Sequence, residues 1–344
     1  TMNIVITGGA GFLGARLART LLSQNQLALA GAAPKTITRI TLVDRAQPPA
    51  DLLADPRIHA VVGDLNDLLQ PGPQGTAAVP RGTDAVFHLA AAVSGECEAD
   101  FDLGMRSNFE ATHALLQACR ALGTRPVLVY ASSLAVFGNV PGQPPLALID
   151  DDTLPTPQSS YGIQKYIGEQ LVADFTRKGF IRGRSTRLMT VSVRAGRPNG
   201  AASSYLSGII REPLAGERAV CPVPADVVVA LSSPGRTIEG IIRAAQVNDA
   251  EWGPLTAINL PALTTSVGDM VAALGRVAGQ AATDLVDWKP DESILRLARS
   301  WPGRVASTRA RGMGLLADAD FEVIVREYVR ENPQAVRLAG VKAD

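Results

Sequence analysis

The sequence predicts an α/β fold, a doubly wound parallel sheet with a smaller, mostly helical C-terminal lobe. Three observations predict it. Short, nearly continuous apolar runs alternate with helical patterns through the first half, the texture of strands buried on both faces of a parallel sheet. A glycine-rich turn joins the first run to the first helix. After Arg194 the texture changes to Gly-, Pro- and Ser-rich loops and helices.

The expected strands of the first half are 2–7, 39–44, 58–64, 84–91 and 126–133, rich in Val, Ile and Leu. Between them, 12–24 carries Leu13, Leu17 and Leu21 at steps of four, and 104–123 carries Phe109, Leu115, Leu116 and Cys119 near one face. Residues 139–160 hold five prolines and an acidic run at Asp150–Asp152, which reads as a loop. A helix follows over 161–178, with Ile163, Ile167 and Leu171 as its expected packing face. Residues 183–194 read as strand, 195–204 as a flexible turn, and 205–217 as a helix broken by Pro213. Strand, helix and strand then follow over 225–233, 235–247 and 255–261, and the remainder is mostly helical. The expected division is 1–194 with 223–260 as the nucleotide-type domain, its sheet of six or seven strands, and 195–222 with 261–344 as the lobe.

Composition narrows the function. The 344 residues hold 33 basic and 33 acidic side chains, so no net field exists to draw in nucleic acid or an anionic membrane. Cys97, Cys119 and Cys221 are far apart, with no CxxC and no Cys/His cluster. They read as reduced thiols of a cytoplasmic protein, with no metal site expected. No run of eighteen apolar residues suggests a membrane span, and no basic and apolar leader precedes the first strand.

In "VITGGAGFLG" (5–14), Gly8, Gly11 and Gly14 follow a buried strand and open a helix. The first glycine permits a tight turn, the second lets backbone approach a pyrophosphate, and the third lets helix and strand pack closely. The first helical amides, from Phe12 and Leu13, then face the phosphates. This is the Rossmann-type dinucleotide pattern. Asp44, at the end of the second expected strand, is the acid for the adenine ribose hydroxyls, and it favours NAD over NADP by repelling a 2′-phosphate. It lies thirty residues after Gly14, later than the usual spacing of about twenty. The stretch 23–35 reads as an insertion that accounts for the delay. Arg45 beside it leaves some room for NADP. Asp64 and Leu65 are placed for the adenine. Leu89, Ala90 and Ala91 are placed to pass under the phosphates and nicotinamide ribose.

"TGGAGFLG" (7–14), "ASSLAVFG" (131–138) and "YGIQK" (161–165) occur in that order. Together they resemble the extended short-chain dehydrogenase/reductase superfamily, the NAD-dependent epimerases and dehydratases, over nearly the whole chain. The resemblance implies Tyr161 and Lys165 as the catalytic pair, with Ser133, five positions before the glycine of the second motif, as the hydroxyl that binds the substrate oxygen. It also places Asn108 at a backbone irregularity near Lys165, adds Val191 to the cofactor contacts, and implies a homodimer through 104–123 and 161–178.

The side chains support the same chemistry. Removing a hydride from an alcohol carbon requires removing the hydroxyl proton as well. An unperturbed tyrosine titrates near about 10, so ionising it at neutral pH costs about 4 kcal/mol. Lys165, one helical turn on, shares its face and favours the phenolate. Lys165 is also placed for the nicotinamide ribose. Ser133 ends a strand, where the carboxyl-end rule puts ligands, and Ser132 is the alternative. His88, at a strand end, stays open between a cofactor contact and a structural role.

The substrate side departs from the sugar-nucleotide pattern RxFNxYGP. This chain reads "RLMTVSVRAGRPNG" (187–200), with Thr190 where the Asn would be and no YGP. The region 193–217 resembles the subgroup that oxidises a four-carbon sugar acid, D-erythronate, at C2. A small carboxylate needs a bidentate cation, for which Arg194 and Arg197 are the candidates. Asn199 and Ser203 are candidates for the remaining hydroxyls, and Arg187 is assigned to the strand interior. Three readings stay open: a sugar-acid dehydrogenase, a nucleoside-diphosphate-sugar 4-epimerase, and a cofactor sensor without catalysis.

Overall fold

The computed structural model describes residues 1–254 and 257–342. Its main sheet contains β1 (Met2–Thr7), β2 (Gln26–Leu27), β3 (Lys35–Asp44), β4 (Ile58–Val62), β5 (Ala85–His88), β6 (Val127–Ser133), β7 (Arg182–Leu188) and the strand Ala257–Asn259. The spatial order runs from Ala257–Asn259 through β7, β6, β5 and β1 to β3. Pairing of β1 with β3 and β5, of β5 with β6, and of β3 with β4 is parallel. Ile4, Val5 and Ile6 are all buried, so β1 has both faces covered, as its unbroken apolar run requires. The order reverses between β1 and β5. The carboxyl ends Thr7, Asp44, His88 and Ser133 therefore flank the switch point where open α/β sheets bind ligands.

By contact density the chain forms two compact units: Thr1–Val136, Ser159–Arg187 and Ile238–Ile258, and then Phe137–Gln158, Leu188–Thr237 and Asn259–Asp344. The first unit's core includes Val5, Val86, Leu115, Leu128 and Val172. The second has its own core around Leu206, Ile210, Leu231, Met270, Leu274 and Val325.

Several elements differ from the sequence reading. The stretch 23–35 is an ordered edge: β2 pairs antiparallel with Lys35 and Thr36, and the amides of Ala30 and Gly31 bond the carbonyls of Ala245 and Gln246. The helix expected over 104–123 is three pieces, Phe101–Gly104, a π-helical turn Met105–Glu110, and Ala111–Ala121. The strand expected over 183–194 breaks at Met189. Its continuation, Thr190–Val191, pairs with Val228–Ser232 in a separate three-stranded sheet with Leu263–Ser266. Residues 188–194 and 223–237 thus belong to the second unit, because hydrogen bonding to that small sheet outweighs their apolar likeness to core strands. Leu255 and Thr256 of the strand expected over 255–261 lie outside the described residues.

The helix Ser160–Arg177 corrects a further expectation. Ser159 caps it, accepting from the Gly162 amide at 3.1 Å. Its buried face is Gly162, Gln164, Lys165, Gly168, Glu169, Val172 and Phe175, whereas Ile163 is 47% exposed. A Cβ at Gly162 would overlap the Ala135 carbonyl oxygen, and one at Gly168 would overlap the Tyr130 hydroxyl. Close approach at these two glycines turns the polar side chains toward β6 and leaves the Ile163 edge outward.

Candidate active site

The glycine loop is built from backbone. Gly8 has φ +70°, a left-handed conformation that only glycine adopts at no cost, and its Cβ would meet the Ala90 nitrogen at 2.9 Å. A Cβ at Gly14 would overlap the Gly8 carbonyl, so the helix Phe12–Gln24 starts directly over the turn. Gly11 is its exposed N-cap, with no side-chain cap and no acidic residue in the first turn. A helix start without a capping carboxylate or hydroxyl, its amides approached past a side-chain-free residue, fits the pyrophosphate of a dinucleotide. Phe12 and Leu13, half-buried, form that first turn.

Asp44 ends β3 and accepts from the Ala10 amide at 3.0 Å and the Ala46 amide at 3.1 Å. It thereby ties the glycine loop to the strand end whose ribose-binding role its position suggests. Asp64 caps the short helix that Leu65 opens and pairs with Arg45 at 2.6 Å and Arg106 at 3.0 Å. Partial burial alone would raise its pKa, but Arg45, the Asn66 amide and Arg106 together hold it below the usual carboxylate range. Arg45 is thus engaged by Asp64.

Leu89, Ala90 and Ala91 follow β5. The Thr7 hydroxyl accepts from the amides of Leu89 and Ala90 at 3.1 and 3.2 Å. Thr7 also meets His88 Nδ1 at 2.6 Å, and His88 Nε2 meets Thr112 at 2.9 Å. With its acceptor sites taken, Thr7 donates to Nδ1, which assigns His88 the Nε2–H tautomer. Burial, reinforced by the nearby Lys165 charge, pushes its pKa down to about 3. His88 is therefore a neutral internal clamp.

Asn108 lies in the π-helical turn, 2% exposed. It exchanges two bonds with Ala92, accepting from the amide at 2.8 Å and donating to the carbonyl at 3.1 Å, and donates to Gln164 at 2.9 Å. These bonds fasten the loop after β5 to the helix bearing Tyr161 and Lys165. With a further donation to Cys97 Sγ at 3.3 Å, the side chain is engaged by Ala92, Gln164 and Cys97, and it positions that loop.

Lys165 is buried. Its Nζ donates to the Ala131 carbonyl at 2.8 Å, and it lies 5.1 Å from the Tyr130 ring centre and 5.6 Å from that of Tyr161. Burial pushes its pKa down to about 8, with Cys97 and Glu169 opposing. Half-buried Tyr161 thus has a cation one turn along its own helix face. Ser133 ends β6 and accepts from the Ala135 amide at 3.1 Å. That contact uses an oxygen lone pair and leaves its proton to donate.

Ser132 does not join this set. It is 2% exposed and donates to Glu169 at 2.6 Å, while Glu169 holds Arg187 through two bonds of 2.9 and 2.8 Å. Successive strand residues point to opposite faces, so Ser132 turns inward, where Glu169 and not a substrate engages its hydroxyl. Glu169 was missed by sequence reasoning, although its i, i+4 spacing from Lys165 was a legible signal.

The remaining candidates belong to the second unit. Val191 is half-buried in its small sheet. The Arg194 backbone is held by the helix Tyr205–Leu214: its amide donates to Ser207 at 3.0 Å, and its carbonyl accepts from Arg211 at 2.8 Å. Arg197 and Asn199 lie on an exposed loop, where Asn199 accepts from the Ala201 amide at 3.0 Å, and Ser203 precedes the helix. The structure keeps these four on one loop and its following turn.

The chain is 45% identical to D-erythronate dehydrogenase of Cupriavidus necator over 96% of its length and 98% of that protein. It is 40% identical to D-erythronate dehydrogenase of Haemophilus influenzae over 95% of its length and 99% of that protein. A solved structure described as a nucleoside-diphosphate-sugar epimerase from Agrobacterium tumefaciens superposes with a TM-score of 0.85 at 37% identity, covering 98% of this chain and 96% of that one. L-threonine 3-dehydrogenase from Trypanosoma brucei, at 22% identity and a TM-score of 0.79, shares the fold over 98% of both chains. The model of the NAD dependent epimerase/dehydratase family matches residues 4–230, and the chain belongs to that family.

Proposed function

We propose that this enzyme oxidises a small sugar acid, D-erythronate, at C2 to 2-oxo-D-erythronate, using NAD in preference to NADP. The observation that carries the chemistry is the Lys165 ammonium, bonded to the carbonyl of Ala131 two residues before Ser133 and held 5.6 Å from the Tyr161 ring centre. Full-length likeness to two D-erythronate dehydrogenases supports the substrate.

When bound at the glycine loop, NAD supplies the hydride acceptor. Ser133 donates to the substrate oxygen and orients it. Tyr161 takes the hydroxyl proton as the C–H bond breaks, and Lys165 favours the phenolate and holds the ribose hydroxyls. Asp44 accepts from the adenine ribose, and its charge opposes a 2′-phosphate. Arg194 and Arg197 hold the carboxylate, with Asn199 and Ser203 on the other hydroxyls. A homodimer through 104–123 and 161–178 is part of the proposal, checked by sedimentation.

Purified protein with NAD and D-erythronate should produce NADH steadily over many turnovers. Silence with four-carbon acids, together with interconversion of nucleoside-diphosphate sugars without NADH release, would establish the epimerase reading instead.

A further inference from the structure

Tyr130, Ala131 and Ser132 are consecutive at the end of β6, and each is tied to the same stretch of the Ser160–Arg177 helix. The Tyr130 hydroxyl packs on Gly168 and donates to the Lys165 carbonyl at 3.4 Å. The Ala131 carbonyl accepts the Lys165 ammonium at 2.8 Å. Ser132 donates to Glu169 at 2.6 Å, and Glu169 reaches across to Arg187 on β7. Glu169 is 1% exposed and Arg187 7%.

A buried ion pair is poorly explained by stability. Desolvation costs several kcal/mol per ion, and apolar replacements of similar volume often serve as well. What a bidentate guanidinium–carboxylate pair does supply is one fixed orientation. Here the fixed carboxylate oxygen holds Ser132. Because successive strand residues point to opposite faces, holding Ser132 inward fixes the direction of Ser133.

We propose that Glu169, oriented by Arg187, is a positioning residue that acts through Ser132 to set Ser133 and the Ala131 carbonyl that anchors Lys165. The proposal rests on the assignment of Ser133, Tyr161 and Lys165 to proton transfer.

The test compares wild type, Tyr161→Phe, Ser132→Ala, Glu169→Gln and the Ser132→Ala/Glu169→Gln double variant in the D-erythronate assay. Wild-type silence, or full activity in Tyr161→Phe, would overturn the underlying assignment and not the network. With those controls as expected, Ser132→Ala should lower kcat about tenfold, within the range that small misplacements cost. KM for both substrates and the Kd for NAD should stay within about twofold. Glu169→Gln should show a similar loss, and the double variant should be no worse than the poorer single variant, since both cut one connection. In the cofactor-free protein, amide exchange over 131–136 should accelerate in both single variants while 2–7 is unchanged. Unaltered kcat and exchange in Ser132→Ala, or losses that multiply in the double variant, would overturn the proposal. If Glu169→Gln does not fold, Ser132→Ala decides alone.

Discussion

The Lys165 ammonium donates to the Ala131 carbonyl at 2.8 Å, so the cation beside Tyr161 is fixed by the backbone of the strand that ends in Ser133. The three residues proposed for proton transfer, Tyr161, Lys165 and Ser133, are thereby referred to one strand end.

This arrangement predicts a pH dependence. Lys165 faces Tyr130 and the Ala131 carbonyl from β6, Tyr161 and Glu169 from its own helix, Cys97 from the helix Ser94–Ala99 and His88 from β5. Burial lowers its pKa to about 8, so the ammonium is present below that pH and lost above it. In the free enzyme, kcat/KM for NAD should therefore fall as pH rises through about 8. Lys165→Met should lower the rate and remove that limb. A wild-type profile that stays level to the end of the alkaline range would contradict the role.

Close packing at Gly168 predicts a second outcome. In Gly168→Ala the new methyl overlaps the Tyr130 hydroxyl, and the helix must shift. A loss of roughly 1–3 kcal/mol is expected, as for overpacked cores. A fall in kcat should accompany it, because Lys165 rides on the same turn. Gly312→Ala, which meets nothing within 4 Å, serves as the neutral comparison. Denaturant melts and steady-state kinetics on both variants check this; equal behaviour would remove the packing argument.

His88 predicts the acid side of stability. Its pKa is about 3 in the folded protein against 6.5 when free, so between these values the unfolded chain binds the extra proton. Stability is complete above 6.5 and is lost as pH falls toward about 3. Between pH 7 and 5 the loss from this group is about 2 kcal/mol. His88→Gln, which does not titrate, should show a smaller drop in unfolding free energy over that interval. An identical drop would show that other groups carry the acid sensitivity.

The substrate loop predicts a binding defect. If Arg194 holds the carboxylate as a fork, Arg194→Lys keeps the charge but loses the bidentate geometry. KM for D-erythronate should rise roughly 10- to 100-fold, as loss of a charge-assisted bond implies, while the KM for NAD holds. Measuring both constants for the Arg194→Lys and Arg197→Lys variants distinguishes which arginine acts; unchanged values in both would exclude the loop.

Much of the candidate site was legible one residue at a time. The glycines of 8–14, Asp44, Ser133, Tyr161 and Lys165 announce themselves because their chemistry depends on residue type and on short spacing along one strand or one helix turn. Main-sheet strands were legible for a related reason, since burial on both faces demands unbroken apolar runs. Three-dimensional packing settled what spacing leaves open. Ile163, Ile167 and Leu171 have helical periodicity, and Leu171 does pack against the core, but the close approach allowed by Gly162 and Gly168 buries the neighbouring polar face and leaves Ile163 exposed. Ser132 and Ser133 are identical side chains in adjacent positions, and Ser132 is set apart by its bond to Glu169, itself joined to Arg187 across 18 residues of chain. His88 is a clamp because Thr7 and Thr112, 81 and 24 residues away, occupy both its nitrogens. Beyond Leu188 the chain leaves the main sheet, and Thr190 and Val191 pair instead with Leu231 and Ser232. Local chemistry is written in the order of residues; which face is buried, and which of two equivalent groups is engaged, depends on partners brought together only when the chain folds.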